Sequence, residues 1–306
     1  MASDKPSVFI DGESGTTGLG IRARLEKLPA IELKSLPEAH RKDPAARRDI
    51  MAEVDLVILC LPDDAAKESA TLADSLGNAA PKLLDASTAH RVDPAWEYGF
   101  PEMEAGQDRR IATSARVANP GCYPTGAIAL IRPLVDAGIM PRDYPVAINA
   151  ISGYSGGGKS MIAAHDHDHG PAFELYALGL EHKHVPEIEK YCGLTRRPIF
   201  VPSVGHFRQG MLVTVPLHLD TLQGKPSGAD LHTVLAERYA GCEYISVVDP
   251  EAKLEPEALN DTNKMELSVH ANEARRQAVL VARLDNLGKG ASGAAVQNLQ
   301  LMLELD

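Results

Sequence analysis

The first part of the chain alternates short apolar segments with amphipathic ones, and this alternation constrains the fold more than any other feature. Four segments are short, apolar and rich in β-forming residues: 7–10, 31–36, 54–61 and 82–85. Helical patterns occupy 19–28 and 65–76, between two pairs of these segments. Strands that alternate with helices predict a parallel sheet that is covered by helices on both faces.

A glycine turn, GESGTTG at residues 12–18, joins the first predicted strand to the first predicted helix. A strand, a glycine turn and a helix in that order are typical of a Rossmann-type dinucleotide site, where the glycines admit a pyrophosphate to the helix N-terminus. The spacing is GxxGxxG rather than GxGxxG, so a plain glycine turn is the alternative. The predicted contacts are Gly12, Gly15, Thr16, Thr17 and Gly18.

The residues after the second predicted strand favour NADP over NAD. An acidic residue at this point favours NAD, whereas a basic or hydroxyl side chain favours the 2′-phosphate of NADP. The strand ends at Ser35, and Arg41 and Lys42 follow, with Glu38 as an intervening acid. For Arg47 and Arg48, a solvated helix face is an equally good interpretation.

The sequence NPGCYPT, residues 119–125, places a cysteine between a predicted strand at 111–118 and a predicted helix at 126–137. At the mouth of a helix, unpaired N–H groups and the helix dipole favour thiolate over thiol. A buried core cysteine is the alternative, but the flanking Pro-Gly and Tyr-Pro suit a turn better than a core. We therefore predict that Cys122 is a nucleophile.

The glycine-rich sequence SGYSGGGKS, residues 152–160, matches the P-loop pattern GxxxxGK[ST]. Taken alone, this match predicts a cradle for the phosphates of ATP or GTP. However, the loop follows the cysteine helix, and no later strand ends in an obvious magnesium-binding aspartate. Its backbone N–H groups could instead bind an acyl group or a phosphate beside the cysteine.

Three polar motifs allow more than one interpretation. His182 and His184 precede a helix predicted to begin at Pro186 and to reach Tyr191, which suits a general acid/base site; zinc would need a third ligand. The run HDHDH, residues 165–169, predicts an exposed polar loop rather than a metal site. The turn DASTAHR, residues 85–91, could hold an anion through Ser87, Thr88 and Arg91, or could be a capping turn.

The second half of the chain contains a run of predicted strands, which indicates a mixed sheet separate from the first. A strand is predicted at 146–151, and 198–204 and 211–219 are predicted to be adjacent strands. A helix at 231–239 precedes strands at 266–270 and 278–284. A glycine-rich turn at 286–293 then leads into an apolar helix at 294–305, and such a turn is a candidate cofactor contact.

Composition narrows the range of partners and compartments. The 306 residues carry 31 basic and 42 acidic side chains, and the resulting net charge of −11 argues against nucleic acid and anionic membranes as partners. No apolar run has the length of a membrane span. The four cysteines are widely spaced, which predicts a reducing, cytoplasmic location without a disulfide framework.

Taken together, these motifs resemble the N-acetyl-gamma-glutamyl-phosphate reductases of the short form, over the whole chain. The resemblance rests on NPGCYPT, EHKHVPEI and the other segments, which are DGESGTTG, CLPDDAA, DASTAHR, SGYSGGGK, GHFRQGM and NLGKGASGAAVQN. It implies NADPH-dependent, reversible reduction of N-acetyl-L-glutamyl 5-phosphate to the 5-semialdehyde and phosphate in arginine biosynthesis. Aspartate-semialdehyde dehydrogenase chemistry, a P-loop nucleotide-binding module and a non-catalytic NADP-binding regulator are the alternatives.

The resemblance also implies a domain arrangement. Residues 1–121 and 286–306 would form a discontinuous Rossmann-type NADP-binding domain. Residues 122–285 would form an α+β catalytic and oligomerisation domain with a mixed sheet, as in semialdehyde dehydrogenases. The assembly would be a homodimer or a homotetramer.

The same resemblance implies a set of site residues and no metal ligand. Cys122 would carry a thioacyl group, His182 would be the acid/base, and His184 and Tyr176 would support it. Arg91 would bind phosphate, with Arg116 as the second candidate. The remaining substrate contacts would be Asn119, Ser152, Gly153, Ser155 and Lys159. The remaining cofactor contacts would be Cys60, Leu61, Pro62, Ser87, Gly290, Ser292 and Gly293.

Overall fold

The chain divides into two compact units. The computed structural model describes residues 5–167 and 169–305. One unit comprises the described residues up to 101, together with 105–120 and those from 291 onwards, and the other comprises 102–104 and 121–290. The boundaries predicted after residue 121 and before residue 286 differ from these by one residue and by five, and the position of 102–104 was not predicted.

The first unit is built on a parallel sheet, as the alternation of strands and helices predicted. In the described residues its strand order is β2-β1-β3-β4-β6-β5. Its elements up to residue 120 are β1 (Ser7–Asp11), α1 (Thr16–Leu25), β2 (Glu32–Lys34), α2 (Pro44–Met51), β3 (Leu56–Leu59), α3 (Asp63–Asp74), β4 (Lys82–Asp85), β5 (Glu97–Tyr98), α4 (Gln107–Thr113) and β6 (Arg116–Ala118).

The two faces of this sheet are both buried, because successive side chains of a strand point to opposite faces. On one face Val8 and Ile10 pack with Ile21 of α1. On the other face Phe9 packs with Met51 of α2 and with neighbouring apolar residues. The glycine turn therefore lies at the carboxyl end of β1, which is the edge where parallel sheets bind ligands.

The strand predicted at residues 111–118 was wrong over its first half. Only Arg116–Ala118 is a strand, and Gln107–Thr113 is the helix α4, which follows Gly106 at a φ of +80°. Ile111 is fully buried on one face of this helix. A short segment with few apolar residues fits both a strand and a helix. For this reason the apolar-polar alternation at 111–118 was assigned to a strand.

The second unit is built on a mixed sheet of order β11-β12-β13-β10-β7-β9-β8 in the described residues. Its elements are α5 (Cys122–Asp136), β7 (Ala147–Gly153), α6 (Gly158–His167), β8 (Phe173–Leu175), α7 (Val185–Tyr191), β9 (Ile199–Gly205), β10 (Met211–His218), α8 (Gly228–Arg238), β11 (Ile245–Val247), β12 (Met265–Asn272) and β13 (Gln277–Leu284). The chain then returns to the first unit as α9 (Gly293–Met302).

Two predictions for the second unit were wrong. Strands β9 and β10 are not neighbours, because β7 lies between them, parallel to β9 and antiparallel to β10. The HDHDH run is not a loop over its described first half, since residues 165–167 end α6 and His165 is buried against the ring of Tyr154. Asp168 lies outside the described residues.

Helix α5 is buried along most of its length, and this fixes the position of its first residue. A Cβ at Gly126 would lie 2.8 Å from Cγ2 of Val213, so the helix packs directly on strand β10. The Tyr239 hydroxyl donates to the carbonyl of Ala129 at 2.9 Å and attaches the helix to the end of α8. Within the described part of the chain, no helix has both the length and the apolarity needed to span a membrane.

Candidate active site

Cys122 is the first residue of α5, at the end where the helix leaves N–H groups without intrahelical partners. Gly121 is the N-cap and has no side chain with which to satisfy them. The backbone N–H of Gly121 donates to the buried carboxylate of Glu187 at 2.8 Å, and the Thr125 hydroxyl donates to the Gly121 carbonyl at 2.9 Å. The turn before the cysteine is thereby held from both sides, while Cys122 itself stays partly exposed.

Gly290 packs directly against Cys122. A Cβ at Gly290 would lie 2.9 Å from Cβ of Cys122, closer than such atoms approach, so this position requires glycine. Lys289, which is buried, forms an ion pair of 2.7 Å with Glu102, and this pair attaches residues 102–104 to the second unit. The glycine-rich turn predicted as a cofactor contact thus supports the cysteine in this structure.

A cavity of about 190 Å³ opens beside the cysteine. Four of the predicted substrate residues, Ser152, Gly153, Tyr176 and His184, line it together with Cys122 and His182. The remaining lining residues are Tyr123, Gly156, Gly157, Met161, Lys183 and Val204. Two other predicted residues have different surroundings, since Ser155 is buried and accepts from Asn286, and Lys159 is exposed at the start of α6.

The imidazole of His182 stands among aromatic rings at this cavity. Its ring centre is 5.6 Å from that of Tyr176, 5.9 Å from that of Tyr123 and 4.7 Å from that of His184. The backbone N–H of His184 donates to Nδ1 of His182 at 3.1 Å, so Nδ1 carries the lone pair and Nε2 carries the proton of the neutral ring. Burial and the charge of Lys183 lower the pKa of His182 to about 4, which keeps the ring neutral.

Two tyrosines complete the wall around the cysteine. The Tyr176 hydroxyl donates to that of Tyr123 at 3.1 Å, and the Tyr123 hydroxyl donates to the Ser203 carbonyl. Burial, with a smaller contribution from the charge of Cys122, raises the pKa of Tyr176 to about 12. Burial, followed by the charges of Tyr176 and Cys122, also raises the pKa of Tyr123. Both phenols therefore stay protonated as hydrogen-bond donors.

The P-loop interpretation does not fit the backbone. A P-loop binds phosphates with the N–H groups of its glycine-rich turn. Here the N–H groups of residues 153, 154 and 155 donate to the carbonyls of residues 210, 207 and 208. Residues 154–157 also form a 3-10 turn rather than an open loop. The match to GxxxxGK[ST] is thus a coincidence of sequence.

A second cavity, of about 420 Å³, lies in the first unit at the carboxyl end of β1. Of the predicted cofactor residues it is lined by Gly12, Arg41, Lys42 and Leu61. The other lining residues are Phe9, Ile10, Asp11, Glu13, Ser14, Leu36, Glu38 and Ala39. Thr16 and Thr17 begin α1, Cys60 follows β3, and Pro62 is the N-cap of α3. Burial raises the pKa of the Cys60 thiol, which disfavours its thiolate.

The glycine turn fits a dinucleotide. Gly12 has a φ of +88°, and a Cβ there would lie 2.4 Å from the Cys60 carbonyl oxygen; a Cβ at Gly18 would lie 2.6 Å from that of Gly12. The chain's own packing requires these two glycines. Gly15 has a φ of −74° and room for a Cβ, with 3.5 Å to the nearest atom. Glycine at position 15 is explained by a ligand that approaches the N-terminus of α1, as in dinucleotide sites.

The DASTAHR turn does not present the donors of an anion site. The Ser87 hydroxyl donates to Asp85, and that of Thr88 donates to Asp63. The Arg91 guanidinium is buried and donates to the carbonyls of Asn119, at 2.9 Å, and Ala86. The turn is therefore the capping arrangement that was the alternative interpretation, and Arg91 fixes the backbone three residues before the cysteine.

Four further predicted residues lie in the first unit. The Asn119 side chain donates to the Ala291 carbonyl and accepts from Asn298, so α9 holds this turn. Ser292 accepts from Arg24 at 3.0 Å, and Gly293 is buried at the start of α9. Arg116 lies at the amino end of β6, the edge opposite to ligand-binding ends of parallel strands, and pairs with Asp74.

Sequence reasoning missed four residues that shape the two cavities. Lys183 and Tyr123 line the smaller cavity, Glu187 holds the backbone before the cysteine, and Glu13 lies in the larger cavity. Lys183 stands between the two histidines, so the motif itself was the available signal. For Arg47 the structure excludes the solvated helix face that was one of its two interpretations, since Arg47 forms an ion pair of 2.5 Å with the buried Asp11. In the described residues, no three His, Cys, Asp or Glu side chains converge as metal ligands would.

Comparison with known families covers most of the chain. A family profile described as "Semialdehyde dehydrogenase, NAD binding domain" matches residues 26–110, and one described as "Semialdehyde dehydrogenase, dimerisation domain" matches residues 122–286. A curated protein from Chelativorans sp., named N-acetyl-gamma-glutamyl-phosphate reductase, is 54% identical over 305 residues, with 97% of each chain covered. A protein of the same name from Brucella ovis is 54% identical over 309 residues, with 98% of this chain and 99% of that one covered.

Solved structures share the fold at low identity. Aspartate semialdehyde dehydrogenase II from Vibrio cholerae, complexed with ASA, has a TM-score of 0.71 at 16% identity and covers 99% of both chains. Aspartate semialdehyde dehydrogenase with NADP from Candida albicans has a TM-score of 0.66 at 15% identity, covering 98% of this chain and 99% of that one. These matches establish the two-unit fold of the chain.

Proposed function

Because this chain belongs to the semialdehyde dehydrogenase family, among the N-acetyl-gamma-glutamyl-phosphate reductases, we propose that it reduces N-acetyl-L-glutamyl 5-phosphate to N-acetyl-L-glutamate 5-semialdehyde and phosphate. The reaction is reversible, uses NADPH and serves arginine biosynthesis. The observation that carries the mechanism is a cysteine at a helix N-terminus, opening into a cavity beside a neutral histidine.

The first step belongs to Cys122. Its thiolate attacks the acyl carbon, the bond from that carbon to the phosphate oxygen breaks, and phosphate leaves with the proton that the overall reaction consumes. A thioester then joins the acyl group to Cys122. The positive end of the α5 helix dipole favours the thiolate before attack and again when it is released.

The cofactor is bound by the first unit. The glycine turn would hold the pyrophosphate, and Arg41 and Lys42, which line the same cavity as Gly12, would bind the adenosine end. When bound, the nicotinamide ring supplies a hydride to the acyl carbon. The matched family profile is described as an NAD binding domain and covers residues 26–110, which include Arg41 and Lys42.

His182 stabilises the oxygen of the acyl group. Since its Nδ1 accepts the His184 N–H, the only proton of the neutral ring is on Nε2, and the ring acts as a hydrogen-bond donor. When the oxygen becomes negatively charged, it re-forms the carbonyl and expels the Cys122 thiolate, and this collapse needs no further proton. His182 is therefore a donor to the oxyanion rather than the proton-transferring acid/base that the family resemblance implied.

The remaining groups of the cavity hold the substrate. Lys183 is the cation among the lining residues, and the substrate carries a carboxylate and a phosphate, so Lys183 pairs with one of these anions. The Tyr176 hydroxyl donates its proton to Tyr123, so its oxygen is an acceptor for the amide N–H of the substrate. Ser152 adds a second hydroxyl to the same wall.

The assembly is a homodimer formed by the open face of the mixed sheet. Ile199 and Val201 on β9 share this face with Val279 and Val281 on β13, because the pairing register places Val201 and Val281 in one row across Asn149 and Thr214. Ile199 and Val279 are exposed. The dimerisation-domain profile, which matches residues 122–286, spans both of these strands. The four cysteines are free of disulfides, which suits the cytoplasm.

A substrate panel tests the proposed reaction. Purified protein is given N-acetylglutamate 5-semialdehyde, NADP and phosphate, and NADPH formation is followed with each component left out in turn. We expect formation that requires all three. Formation from aspartate semialdehyde in preference to the acetylated substrate would move the chain to aspartate-semialdehyde dehydrogenase chemistry, and formation without phosphate would remove the acyl-phosphate step.

A further inference from the structure

A buried carboxylate stands in the cofactor cavity, inside the glycine turn. Glu13 follows Gly12, and its side chain is only 10% exposed. One carboxylate oxygen accepts from Arg22 at 2.5 Å and from the Ser35 hydroxyl at 3.1 Å. The other pairs with Arg41 at 2.6 Å. Arg22 also donates to Ser35 at 2.8 Å, so the three donors surround a single anion.

These three donors are the groups expected to bind the 2′-phosphate of NADP. Two guanidinium groups and a hydroxyl at the end of the second strand of such a sheet form an anion site. Arginine recognises phosphate and carboxylate with the same planar arrangement of N–H donors. In this chain, however, the anion that they hold is a side chain of the chain itself.

The other charges at this cavity do not replace Glu13 as the partner of the arginines. Asp11 is engaged by Arg47 at 2.5 Å and by the Ser69 hydroxyl at 2.6 Å. Glu38 and Lys42 also line the cavity, and both are exposed. The closely packed anion site is thus formed by Glu13 with Arg22 and Arg41.

We propose that the Glu13 carboxylate occupies the place of the cofactor 2′-phosphate and competes with it, which makes Glu13 a determinant of NADP affinity. This inference rests on the proposed NADP-dependent function. Binding exchanges one anion for another: the 2′-phosphate takes over the donors of Arg22, Arg41 and Ser35, and the Glu13 side chain withdraws from them. The carboxylate keeps the two arginines ordered in the absence of cofactor and lowers the affinity for NADP by the free energy of its own contacts.

Two adenosine probes that differ only in the 2′-phosphate test this competition by titration calorimetry. They are adenosine 2′,5′-bisphosphate and adenosine 5′-monophosphate. We expect Glu13→Gln to bind the bisphosphate about tenfold more tightly than the unmodified protein, with the monophosphate unchanged, because the amide releases both arginines. Glu13→Asp, which keeps the charge on a shorter side chain, should give a smaller increase and serves if the Gln variant fails to fold.

Glu26→Gln is the matched control. Glu26 also pairs with Arg22, at 2.9 Å, but lies on the exposed side of α1, so its removal changes the net charge equally without vacating the anion site. We expect its affinities for both probes to match the unmodified protein. An equal gain in the Glu26→Gln protein would overturn the proposal, because it would reduce the effect to net charge.

Weaker binding in the Glu13 variants contradicts the proposal in a second way. If Glu13→Gln bound the monophosphate less tightly, Glu13 would be accepting hydroxyls of the ribose, as acidic residues do in NAD sites. In that case the proposed reductase function would stand, since the unmodified protein would still bind the bisphosphate. Unmodified, folded protein that bound neither probe would contradict both the inference and the NADP site of the proposed function.

Discussion

Cys122 differs from the other three cysteines in the surroundings of its sulfur. Burial raises the pKa of Cys60, Cys192 and Cys242, and a raised pKa suppresses the thiolate. Cys122 is instead the first residue of α5 and lines a cavity. At the residue scale, nucleophilic chemistry is therefore expected at this one position.

The proposed donor role of His182 predicts different effects for two substitutions. Glutamine places an amide N–H near the position of Nε2, whereas alanine removes the donor. We expect His182→Ala to lower kcat about 10²–10³-fold, as the loss of an oxyanion donor does. The kcat of His182→Gln should be at least about tenfold higher than that of His182→Ala. Steady-state kinetics on both variants measure these two values of kcat. Equal losses in the two would assign His182 a proton transfer that an amide cannot perform.

The lowered pKa of His182 predicts how pH acts on this residue. Its pKa falls from an ordinary value of 6.5 to about 4 in the folded protein, because of burial and the charge of Lys183. Unfolded chain thus binds this proton near pH 6.5 and folded chain only near pH 4, so the free energy of unfolding decreases as pH falls between these values. Denaturant unfolding across this window should show a smaller decrease in His182→Gln. A slope that is unchanged in the variant would contradict the buried, neutral ring.

Lys183 is expected to act in substrate binding rather than in chemistry. Lys183→Gln should raise the KM for the acetylated substrate about tenfold, with kcat within about twofold, because a charge-assisted contact to a substrate anion is lost. Lys159→Gln is the matched control, since Lys159 is exposed at the start of α6 and carries the same charge. A rise in KM with Lys159→Gln and none with Lys183→Gln would reverse this assignment.

At this scale the sequence predicted the residues that belong to compact motifs. Cys122, His182, His184 and Tyr176 come together at one cavity as the motifs suggested. The hydrogen bonds from Arg91 to the Asn119 and Ala86 carbonyls could not be predicted, because the positions of these carbonyls depend on the fold. Glu13 was missed for a similar reason, since its role depends on arginines nine and twenty-eight residues further on.

At the scale of elements, the contact between helix α5 and the turn before α9 holds Cys122 in place. The turn approaches so closely that Gly290 lies against the Cα and Cβ of Cys122. The Lys289–Glu102 ion pair and the bond from the Gly290 N–H to the Asp285 carbonyl fix the turn in that position. The accuracy of the cysteine's position therefore depends on residues that are far from it in sequence.

Adding one methyl group at this contact should disturb the nucleophile. We expect Gly290→Ala to slow alkylation of Cys122 by iodoacetamide about tenfold and to lower the free energy of unfolding by about 1–3 kcal/mol, because the methyl forces the helix end to shift. Gly179→Ala is the control, since a Cβ there would meet no atom within 4 Å. Alkylation at the unmodified rate in the Gly290 variant would show that the turn does not support Cys122.

Strands and helices with strong patterns were predictable, and their neighbours in the sheet were not. Residues 82–85 were predicted as a strand and form β4, and the helix predicted at 126–137 is α5, which begins four residues earlier at Cys122. The position of β7 between β9 and β10 was missed. It depends on hydrogen bonds from the end of β7 to the loop at 205–210, which joins β9 to β10. Such long-range hydrogen bonds leave no periodic signal in the sequence.

At the scale of the whole molecule, each compact unit is assembled from separated parts of the chain. Asn298 of α9 donates to the Gly99 carbonyl and to the Asn119 side chain, which ties the C-terminal segment to the first unit. Glu102 ties residues 102–104 to the second unit through Lys289. The discontinuity of the first unit was predictable from the family resemblance alone, since composition carries no signal for it.

The open face of the mixed sheet should control the assembly. We expect the double variant Ile199→Asp, Val279→Asp to elute as a monomer where the unmodified protein is a dimer, because two charges on each copy would be buried without partners. Size-exclusion chromatography with light scattering measures this. Leu19→Asp changes an equally exposed leucine in the first unit and should leave the dimer intact. A double variant that remained dimeric would place the contact elsewhere.

A rapid-mixing experiment without phosphate tests whether Cys122 carries the thioacyl group. Protein is mixed with N-acetylglutamate 5-semialdehyde and NADP, and NADPH absorbance is recorded before and after phosphate is added. We predict a rapid burst of one NADPH per subunit that then stops, because the acyl group stays on Cys122 until phosphate removes it, followed by steady turnover once phosphate is present. Cys122→Ser should give neither phase, and Cys242→Ser should give both. Continuous NADPH formation without phosphate, or a full burst in Cys122→Ser, would contradict the account.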